Sequence, residues 1–441
     1  MCSFLFSTRK VDNLESTNYF LKFRGPDSTQ IRYIENYTFI HNLLSITGEI
    51  KNQPIIEDDI ILIYNGEIYN FQDFGNFRSD GECIVPLYRE FGPVFTKKLD
   101  GEFAICLVDL QKNIVVVSSD IFKTKPLFIT NEESSFGCSS YTTPLLEIGH
   151  KNVVKMEPNK TFVISLSDFK IVEEFYIYQF DLEQKKNTYE DWCLSFEKSI
   201  KKRIKNTNKK IFIGLSSGYD SGLIYSELIS ENINFGSFTL LGNENEDILQ
   251  QRVGLANRDC NIFLLRKNDE DYEKSNLHIK EKCENFIYTI HSSQGDYEEY
   301  ISLSQDSGSN NFATICREAR KYDYKICLSG TGSDEIISDY GFDGKKFFNH
   351  SNFGGFFPEK LESIFPWSSF WGSTMESYIA KEEWVGGSFG IEMRYPFLDR
   401  QLVQEFLWLD QKLKNRTYKS VIDYMLTKKN FPFERGIKRG F

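Results

Sequence analysis

The 441-residue sequence lacks several features that would place it in a specialised class of protein. None of its nine cysteines form a C-x-x-C pair, and their odd number argues against a disulfide framework or a zinc site. The apolar runs are of strand length, far too short for a membrane-spanning helix. No basic leader precedes an apolar core at the start of the sequence, so we expect a cytoplasmic protein and not a secreted one.

An excess of positive charge is also absent. The chain has 52 lysines and arginines against 63 aspartates and glutamates, a formal net charge of −11. This balance does not favour binding to nucleic acid or to an anionic membrane through overall charge. Hydrophobic and charged fractions are those of an ordinary globular protein, and the length predicts two large domains.

The first domain, residues 1–182, consists of short strand patterns separated by turn signals. The apolar or β-branched runs 60–64, 114–118 and 162–165 predict strands, and Asn65-Gly66 predicts a turn at the end of the first. Such a pattern, with few helical stretches, favours an antiparallel, sheet-rich domain.

A second domain, residues 188–441, follows a polar segment at 181–187 that has the composition of a linker. Buried strand patterns at 211–215, 235–241, 262–265 and 325–328 alternate with helical patterns, including one that starts near Gly222. The alternation predicts a doubly wound parallel sheet with helices on both faces. Ligands of such sheets bind at the carboxyl ends of the strands, where two loops of small residues fall.

The first of these loops, 216–221 (S-S-G-Y-D-S), stands between a strand and a helix, where backbone N–H groups and the helix dipole can hold phosphate oxygens. A plain tight turn would explain the same residues. The loop resembles the pyrophosphate-binding S-G-G-x-D-S of enzymes that split ATP between the α and β phosphates. Two further segments, 329–335 (S-G-T-G-S-D-E) and 392–399 (E-M-R-Y-P-F-L-D), occur in the order found in asparagine synthetases. No Walker-type sequence occurs.

The resemblance to asparagine synthetases implies a set of site residues in the second domain. Lys419 would be the catalytic lysine that stabilises charge during adenylation, and Asp220 and Asp334 would bind Mg²⁺. Thr331, Asp334, Glu335 and Arg394 would contact the acceptor acid. The residues expected to bind ATP and pyrophosphate are Leu215, Ser216, Ser217, Gly218, Asp220, Ser221, Leu240, Ser329 and Gly330.

The second residue is a cysteine. If Met1 is removed, Cys2 becomes a nucleophile that carries its own base, because its α-amino group titrates near pH ~8. The position of this cysteine, taken alone, would be better explained as an accident. However, segments 24–27, 41–46, 65–70 and 79–82 occur in the order found in class II glutamine amidotransferases.

That second resemblance implies an Ntn-type fold with a glutaminase site. Asn65 and Gly66 would form the oxyanion hole, and Asp80 would bind the α-ammonium of glutamine. The remaining expected contacts to glutamine are Leu44, Ile46 and Glu67. Ammonia would reach the second site through an internal tunnel.

The sequence departs from the family pattern at three places. Leu43 replaces the arginine that grips the α-carboxylate of glutamine, and Arg9, Arg24 or Arg32 are candidates to substitute for it. Thr331 replaces the glutamate of S-G-E-G-S-D-E, which in asparagine synthetases acts near ammonia and the aspartyl adenylate. The chain also ends soon after the last motif, which places closure over ATP in question.

We therefore expect an N-terminal αββα antiparallel sandwich followed by an ATP-pyrophosphatase domain with a doubly wound parallel sheet. The expected activity is the ATP- and Mg²⁺-dependent conversion of a carboxylate to an amide with ammonia from glutamine, with aspartate as the acceptor by resemblance. A different acid, such as a sugar uronate or a natural-product carboxylate, is the main alternative because of Thr331. A cyclase of the β-lactam synthetase kind and a non-catalytic relative are further alternatives. The expected partners are small molecules, with no nucleic acid or membrane, and a homodimer is left open.

Overall fold

A computed structural model describes residues 2–242, 244–256, 261–266, 269–292, 295–341 and 353–438. The strands are β1 (Ser3–Ser7), β2 (Ser28–Ile34), β3 (Tyr37–Leu43), β4 (Ile55–Glu57), β5 (Ile60–Ile68), β6 (Gly101–Asp109), β7 (Ile114–Ser119), β8 (Phe128–Glu132), β9 (Ser135–Ser139), β10 (Val153–Lys155), β11 (Lys160–Ser165), β12 (Ile171–Tyr176), β13 (Lys210–Gly214), β14 (Phe235–Leu241), β15 (Asn261–Arg266), β16 (Phe286–Ser292), β17 (Gly295–Ile301), β18 (Tyr324–Leu328) and β19 (Glu392–Arg394).

The helices are α1 (Leu14–Thr17), α2 (Leu21–Arg24), α3 (Ile84–Phe91), α4 (Thr142–Glu147), α5 (Glu190–Ile204), α6 (Tyr219–Ser230), α7 (Glu246–Leu255), α8 (Asp269–Lys282), α9 (Ser307–Lys321), α10 (Ser368–Trp371), α11 (Ser373–Ser388), α12 (Arg400–Trp408), α13 (Gln411–Lys414) and α14 (Ser420–Lys428). None of the helices in the described part of the chain is long and apolar enough to cross a membrane.

Two antiparallel sheets form the first half of the molecule. Their strand orders are β10-β8-β9-β1-β3-β2 and β12-β11-β7-β6-β5-β4. Side chains alternate between the two faces of a strand, so Phe4 and Phe6 of β1 point to one face and Leu5 to the other. Phe4 and Phe6 pack with Ile61 and Ile63 of β5, and the two sheets therefore share one buried core.

The outer faces of both sheets are covered by helices. Leu5 packs in a core that also contains Leu21 of α2 and Leu145 of α4. On the second sheet, Leu62 packs in the same core as Leu87 of α3. The order of layers is therefore helix, sheet, sheet, helix, and the predicted antiparallel sandwich is confirmed.

The second half of the molecule contains a five-stranded parallel sheet of order β15-β14-β13-β18-β19. Ile211, Phe212 and Ile213 of β13 are all buried. Since neighbouring residues of a strand point to opposite faces, both faces of this sheet are covered, as predicted for a doubly wound domain. From β13 the chain adds β14 and then β15 on one side of the sheet, and β18 and then β19 lie on the other side. The switch point of the sheet therefore lies between β13 and β18.

Most of the strand predictions correspond to observed strands, but the predicted turn at Asn65-Gly66 is wrong. Strand β5 continues through both residues and pairs with β6 as far as Ile68. Gly66 adopts a φ of +136°, and a Cβ atom there would lie 1.9 Å from the carbonyl oxygen of Glu102. The glycine is therefore explained by the close approach of two strands and not by a turn. In the second half, α6 begins at Tyr219, three residues before the predicted start near Gly222.

The predicted linker at 181–187 lies outside any strand or helix and precedes α5. The exact limits of the two domains, 1–182 and 188–441, stay a prediction.

Candidate active sites

The first candidate site begins at Cys2, directly before β1. Its side chain is buried, with Sγ 3.8 Å from the carbonyl oxygen of Leu44. Burial raises the pKa of the Cys2 thiol to about 11. The thiol is therefore protonated at neutral pH, and its use as a nucleophile requires a nearby base.

One pocket brings together most of the residues predicted to handle glutamine. Its lining contains Cys2, Leu44, Ile46, Gly66, Glu67 and Asp80, which come from four separate segments of the sequence. Asn65 is fully buried beside Gly66 on β5. Among the residues that the structure describes, neither the amide nitrogen nor the amide oxygen of Asn65 has a hydrogen-bond partner. An unpaired buried amide donor is costly unless a ligand completes it, which fits a group that receives an oxyanion.

Asp80 supplies a buried carboxylate to this pocket. Its Oδ1 accepts a hydrogen bond from the Tyr64 hydroxyl at 3.0 Å, and its Oδ2 accepts one from the backbone N–H of Ile68 at 2.9 Å. Burial raises the pKa of Asp80 to about 6, although these hydrogen bonds favour the charged form. At neutral pH the group is mainly ionised and is able to bind a cation.

No arginine takes the place of Leu43 among the described residues that line this pocket. Leu43 itself contributes to the lining. Arg9 pairs with Glu132 at 2.6 Å, and the Arg32 guanidinium donates to the neighbouring Ile31 carbonyl. Arg24 is not in the described lining; its Nε donates to the Cys2 carbonyl oxygen at 3.1 Å and its guanidinium pairs with Glu383 at 2.7 Å. The three substitutes suggested by the sequence therefore point elsewhere.

A lysine that sequence reasoning missed does line the pocket. Lys51 lies in the segment after Leu43, and its Nζ is 2.9 Å from Oε1 of Glu82. Its side chain is 47% exposed, so the ammonium group can move between Glu82 and a ligand. The order of residues alone gave no signal, because the contribution of Lys51 depends on the path of the loop between β3 and β4.

The second candidate site is a cavity of about 390 Å³ at the carboxyl ends of β13 and β18. The predicted residues in its lining are Ser216, Asp220, Ser221, Ser329, Gly330, Thr331, Asp334 and Glu335. The other four residues predicted to bind ATP are not in the described lining. Leu215, Ser217 and Gly218 lie in or beside the first of the two loops, and Leu240 lies in β14, the strand that pairs with β13. The two small-residue loops therefore meet at the switch point of the sheet, where ligands of such folds bind.

Lys419 joins the two carboxylates predicted to bind metal. Its Nζ is 2.6 Å from Oδ1 of Asp220 and 2.9 Å from Oδ1 of Asp334. Lys438 approaches the other oxygen of Asp334 at 3.0 Å. Burial opposes ionisation of Asp334, but the two ammonium groups hold its pKa well below the usual range. The cluster therefore brings two lysines and two carboxylates together, and ammonium groups are suitable partners for phosphate oxygens.

The described residues contain no group of three or more His, Cys, Asp or Glu side chains able to hold a metal by themselves. Mg²⁺, however, is commonly bound by one or two carboxylates together with substrate phosphates. Asp220 and Asp334 supply such a pair at the cavity wall. The donor set therefore fits Mg²⁺ bound together with a nucleotide.

The Glu244 side chain contacts the loop that is predicted to bind pyrophosphate. The backbone N–H and hydroxyl of Ser217 both donate to Oε2 of Glu244, the former at 2.6 Å. A nucleotide phosphate that used this N–H would have to displace the Glu244 carboxylate.

Thr331, which replaces the family glutamate, holds a carboxylate from another part of the chain. Its hydroxyl donates to Oε1 of Glu382 at 3.0 Å, and the Ser329 hydroxyl donates to the same oxygen at 2.7 Å. Glu382 belongs to α11 and also lines the cavity. It lies 51 residues away in sequence, and no motif marked it.

Arg394 lies outside the described lining of the cavity, although the sequence predicted it to contact the acceptor. Its guanidinium is buried, 2.7 Å from Oε1 of Glu392 and 3.3 Å from Oε1 of Glu67. Glu67 belongs to the first pocket, so Arg394 contacts the first half of the molecule.

The two sites are connected through α11. Arg24, which holds the Cys2 carbonyl, also pairs with Glu383 at 2.7 Å. Lys125 donates to Glu383 at 3.0 Å and to the Met393 carbonyl at 2.6 Å, and Met393 lines the second cavity. Glu382, the neighbour of Glu383, faces that cavity.

Comparisons with known proteins confirm the predicted resemblance. Residues 1–176 match the family model of a glutamine amidotransferase domain. The chain is 25% identical over 439 residues to a Methanocaldococcus jannaschii protein with the name asparagine synthetase [glutamine-hydrolyzing] 1, covering 91% of this chain and 75% of that protein. It is 26% identical over 463 residues to the asparagine synthetase [glutamine-hydrolyzing] of Gallus gallus (92% and 76% covered) and 25% identical over 446 residues to the human one (89% and 73%).

Among solved structures, the glutamine phosphoribosylpyrophosphate amidotransferase of B. subtilis matches with a TM-score of 0.33 and 12% identity, covering 60% of this chain and 81% of that one. The NMN synthetase of Francisella tularensis matches with a TM-score of 0.25 and 10% identity, covering 58% and 100%.

Proposed function

We propose that this chain, a homologue of the glutamine-hydrolysing asparagine synthetases, converts a carboxylic acid to its amide with ATP and with ammonia released from glutamine. The observation that carries the proposal is the presence in one molecule of two sites, one with groups suited to release ammonia from glutamine and one with groups suited to activate a carboxylate with ATP. A cysteine pocket with a buried carboxylate lies in one half. In the other half lies a cavity whose wall includes Asp220 and Asp334, and Lys419 and Lys438 contact these carboxylates.

In the glutaminase half, Cys2 attacks the side-chain amide of glutamine. Because burial keeps the thiol protonated, the α-amino group exposed by removal of Met1 accepts its proton, directly or through water. The tetrahedral oxyanion is received by the Asn65 side-chain amide and the Gly66 N–H. Asp80 binds the α-ammonium of glutamine and so fixes the orientation of the substrate.

Lys51 binds the α-carboxylate of glutamine in place of the family arginine. It supplies a positive charge in the described lining of this pocket, on a flexible stem and at the pocket edge. An ammonium group makes a less directional contact than a guanidinium, so we expect weaker binding of glutamine than an arginine would provide.

In the synthetase half, the carboxylate of the acceptor attacks the α-phosphorus of ATP, and pyrophosphate leaves. Lys419 and Lys438 stabilise the charge that develops on the phosphates, and the 216–221 loop holds the pyrophosphate. Asp220 and Asp334 would hold Mg²⁺, which would neutralise further phosphate charge when it is bound. Ammonia then displaces AMP from the acyl-adenylate.

Aspartate is the acceptor that the named relatives suggest, and another acid is the main alternative. Thr331 favours the alternative, because the acceptor side of the cavity has a different polar group from that of S-G-E-G-S-D-E. A β-lactam-synthetase-like cyclase would have no need of ammonia, and the intact set of Cys2, Asn65 and Asp80 in one region argues against it.

The proposal is tested by a screen for pyrophosphate release from ATP across candidate acids, each with glutamine or with ammonium. We expect at least one acid to stimulate release and to yield its amide with both nitrogen sources. The Lys419→Met variant should lose this release while it keeps glutaminase activity. If no acid stimulates release in the wild-type protein, the proposed function is wrong. Release with aspartate alone would exclude the alternative acceptors.

A further inference from the structure

Glu382 is a buried carboxylate at the wall of the nucleotide cavity for which the proposed reaction has so far given no role. Its side chain comes from α11 and contacts the loop that follows β18. Oε1 accepts hydrogen bonds from Ser329 and Thr331. Oε2 is buried and has no hydrogen-bond partner among the residues that the structure describes.

The difference between the two oxygens indicates a carboxylate that is held in a fixed orientation and can still accept a hydrogen bond or a proton. Two hydroxyl donors fix one oxygen and therefore the orientation of the whole carboxylate, while the other oxygen keeps its lone pairs for a further donor. A buried acceptor without a partner costs free energy, and such groups persist in proteins where they have a chemical task.

The position of Glu382 matches the substitution found in the sequence. Relatives with S-G-E-G-S-D-E carry their glutamate at the position of Thr331. In this chain the Thr331 hydroxyl instead donates a hydrogen bond to Glu382, which comes from α11. The loss of a carboxylate in the loop is thus accompanied by a carboxylate supplied from a helix.

We propose that Glu382, oriented by Thr331 and Ser329, is the catalytic base that accepts the proton of ammonia as it attacks the acyl-adenylate. This inference rests on the proposed function. The nitrogen lone pair forms the C–N bond, the C–O bond to AMP breaks, and its electron pair stays on the phosphate oxygen. The surplus N–H proton passes to Oε2 of Glu382, which releases it to solvent after the amide and AMP have left.

The electrostatic surroundings agree with this role. Burial raises the pKa of Glu382 to about 7, the two hydroxyl groups oppose this shift, and the negative charges of Glu383 and Glu335 add to it. A base whose pKa lies near the working pH is ionised often enough to accept a proton and basic enough to hold it. Thr331 and Ser329 are positioning residues because they act through Glu382.

The test separates adenylation from amide formation. With the acid that responds best in the wild-type protein, acid-dependent ATP–pyrophosphate exchange and ammonia-dependent amide formation are measured for wild type, Glu382→Gln and Glu376→Gln. Glu376 lies on the same helix but pairs with Lys123 and Lys155 outside the cavity, and so it is the matched control. We expect Glu382→Gln to keep exchange within about threefold and to lose amide formation by about 10²–10⁴-fold, the range for removal of a general base. Glu376→Gln should keep both rates.

Three further variants distinguish a catalytic loss from a packing defect. Thr331→Val, which removes the hydroxyl, should slow amide formation more than Thr331→Ser, which keeps it. Thr331→Glu in the Glu382→Gln background should restore part of the lost rate, because it returns a carboxylate to the same point. Glutaminase activity and the thermal midpoint of each variant report on folding.

Each outcome has a separate meaning. No acid-dependent exchange in the wild-type protein would refute the proposed function itself. Normal exchange together with wild-type amide formation in a folded Glu382→Gln protein would refute the role of Glu382 alone. Equal loss of exchange and amide formation would assign Glu382 to binding or adenylation and would also overturn this inference.

Discussion

The proposed role of Lys51 in binding glutamine gives a prediction whose size follows from the geometry of the pocket. The change is Lys51→Met, which keeps most of the apolar stem and removes the ammonium group. Lys51 contacts Glu82 at 2.9 Å and is 47% exposed, so it is partly paired and partly solvated before glutamine binds.

The expected loss is smaller than that for a buried arginine. A hydrogen bond to a charged group contributes about 1.5–3 kcal/mol. Exposed ion pairs contribute about 0–1 kcal/mol, and Lys51 must weaken its contact to Glu82 when it turns to the ligand. A net loss of about 1–2 kcal/mol remains, which corresponds to a rise of roughly 5- to 30-fold in KM for glutamine.

The assay is glutamate release at varied glutamine concentration, with ammonia-dependent amide formation as the second readout. Lys51→Met should raise KM for glutamine, change kcat little and leave the ammonia-dependent reaction intact. Lys98→Met, which removes an exposed lysine that is absent from the pocket lining, is the matched control. Leu43→Arg added to Lys51→Met should lower KM again, since it returns a guanidinium to the pocket wall.

A wild-type KM in a folded Lys51→Met protein would refute the assignment of Lys51. A proportional loss of ammonia-dependent activity would also contradict it, because the glutamine pocket would then affect the other site through folding.

Three other predictions concern the glutaminase half. Cys2→Ala should abolish glutamine use and spare ammonia-dependent synthesis, and mass spectrometry of the purified active protein should find Cys2 as the first residue; retained Met1 would contradict the mechanism. Because burial raises the pKa of Asp80 to about 6, its carboxylate becomes neutral below that pH, and calorimetry on Cys2→Ala protein should find glutamine binding about tenfold weaker per pH unit there. An Asp80→Asn change should remove this dependence. Gly66→Ala would put a Cβ atom 1.9 Å from the Glu102 carbonyl oxygen and should lower the free energy of unfolding by about 1–3 kcal/mol, measured by thermal unfolding. Gly92 also has a positive φ, but a Cβ atom there would meet no atom within 4 Å, so Gly92→Ala should lose less stability.

Local sequence patterns predicted the parts of the fold that depend on local causes. Alternating or continuous apolar runs predicted strands such as β7 and β14, because burial of one or both faces determines the residue types. The Asn65-Gly66 pair failed as a turn signal because the reason for the glycine is contact with a neighbouring strand. That strand is 35 residues away, and local propensity carries no information about it.

The same distinction separates the predicted site residues from those that were missed. Cys2, Asp80, Asp220 and Asp334 stand in motifs, and the structure brings them to two pockets. Lys51 and Glu382 have no motif, since their contribution depends on a loop path and on helix packing. The substitutions at Leu43 and Thr331 nevertheless indicated where a replacement group was needed, and each lies in the lining of the pocket that contains the missed residue.

The buried ion pairs between the halves bear on how the two sites work together. Arg24 and Glu383 are fully buried, and Lys125 and Glu102 are nearly so. Pairs of this kind add little net stability because desolvation offsets their attraction, but the loss of one partner is strongly destabilising. They therefore act mainly to fix the relative position of the groups that they join. Here they connect the Cys2 carbonyl to α11, the helix that carries Glu382. If ammonia passes directly between the sites, a fixed distance between Cys2 and Glu382 is required, and this network is the part of the structure that would set it.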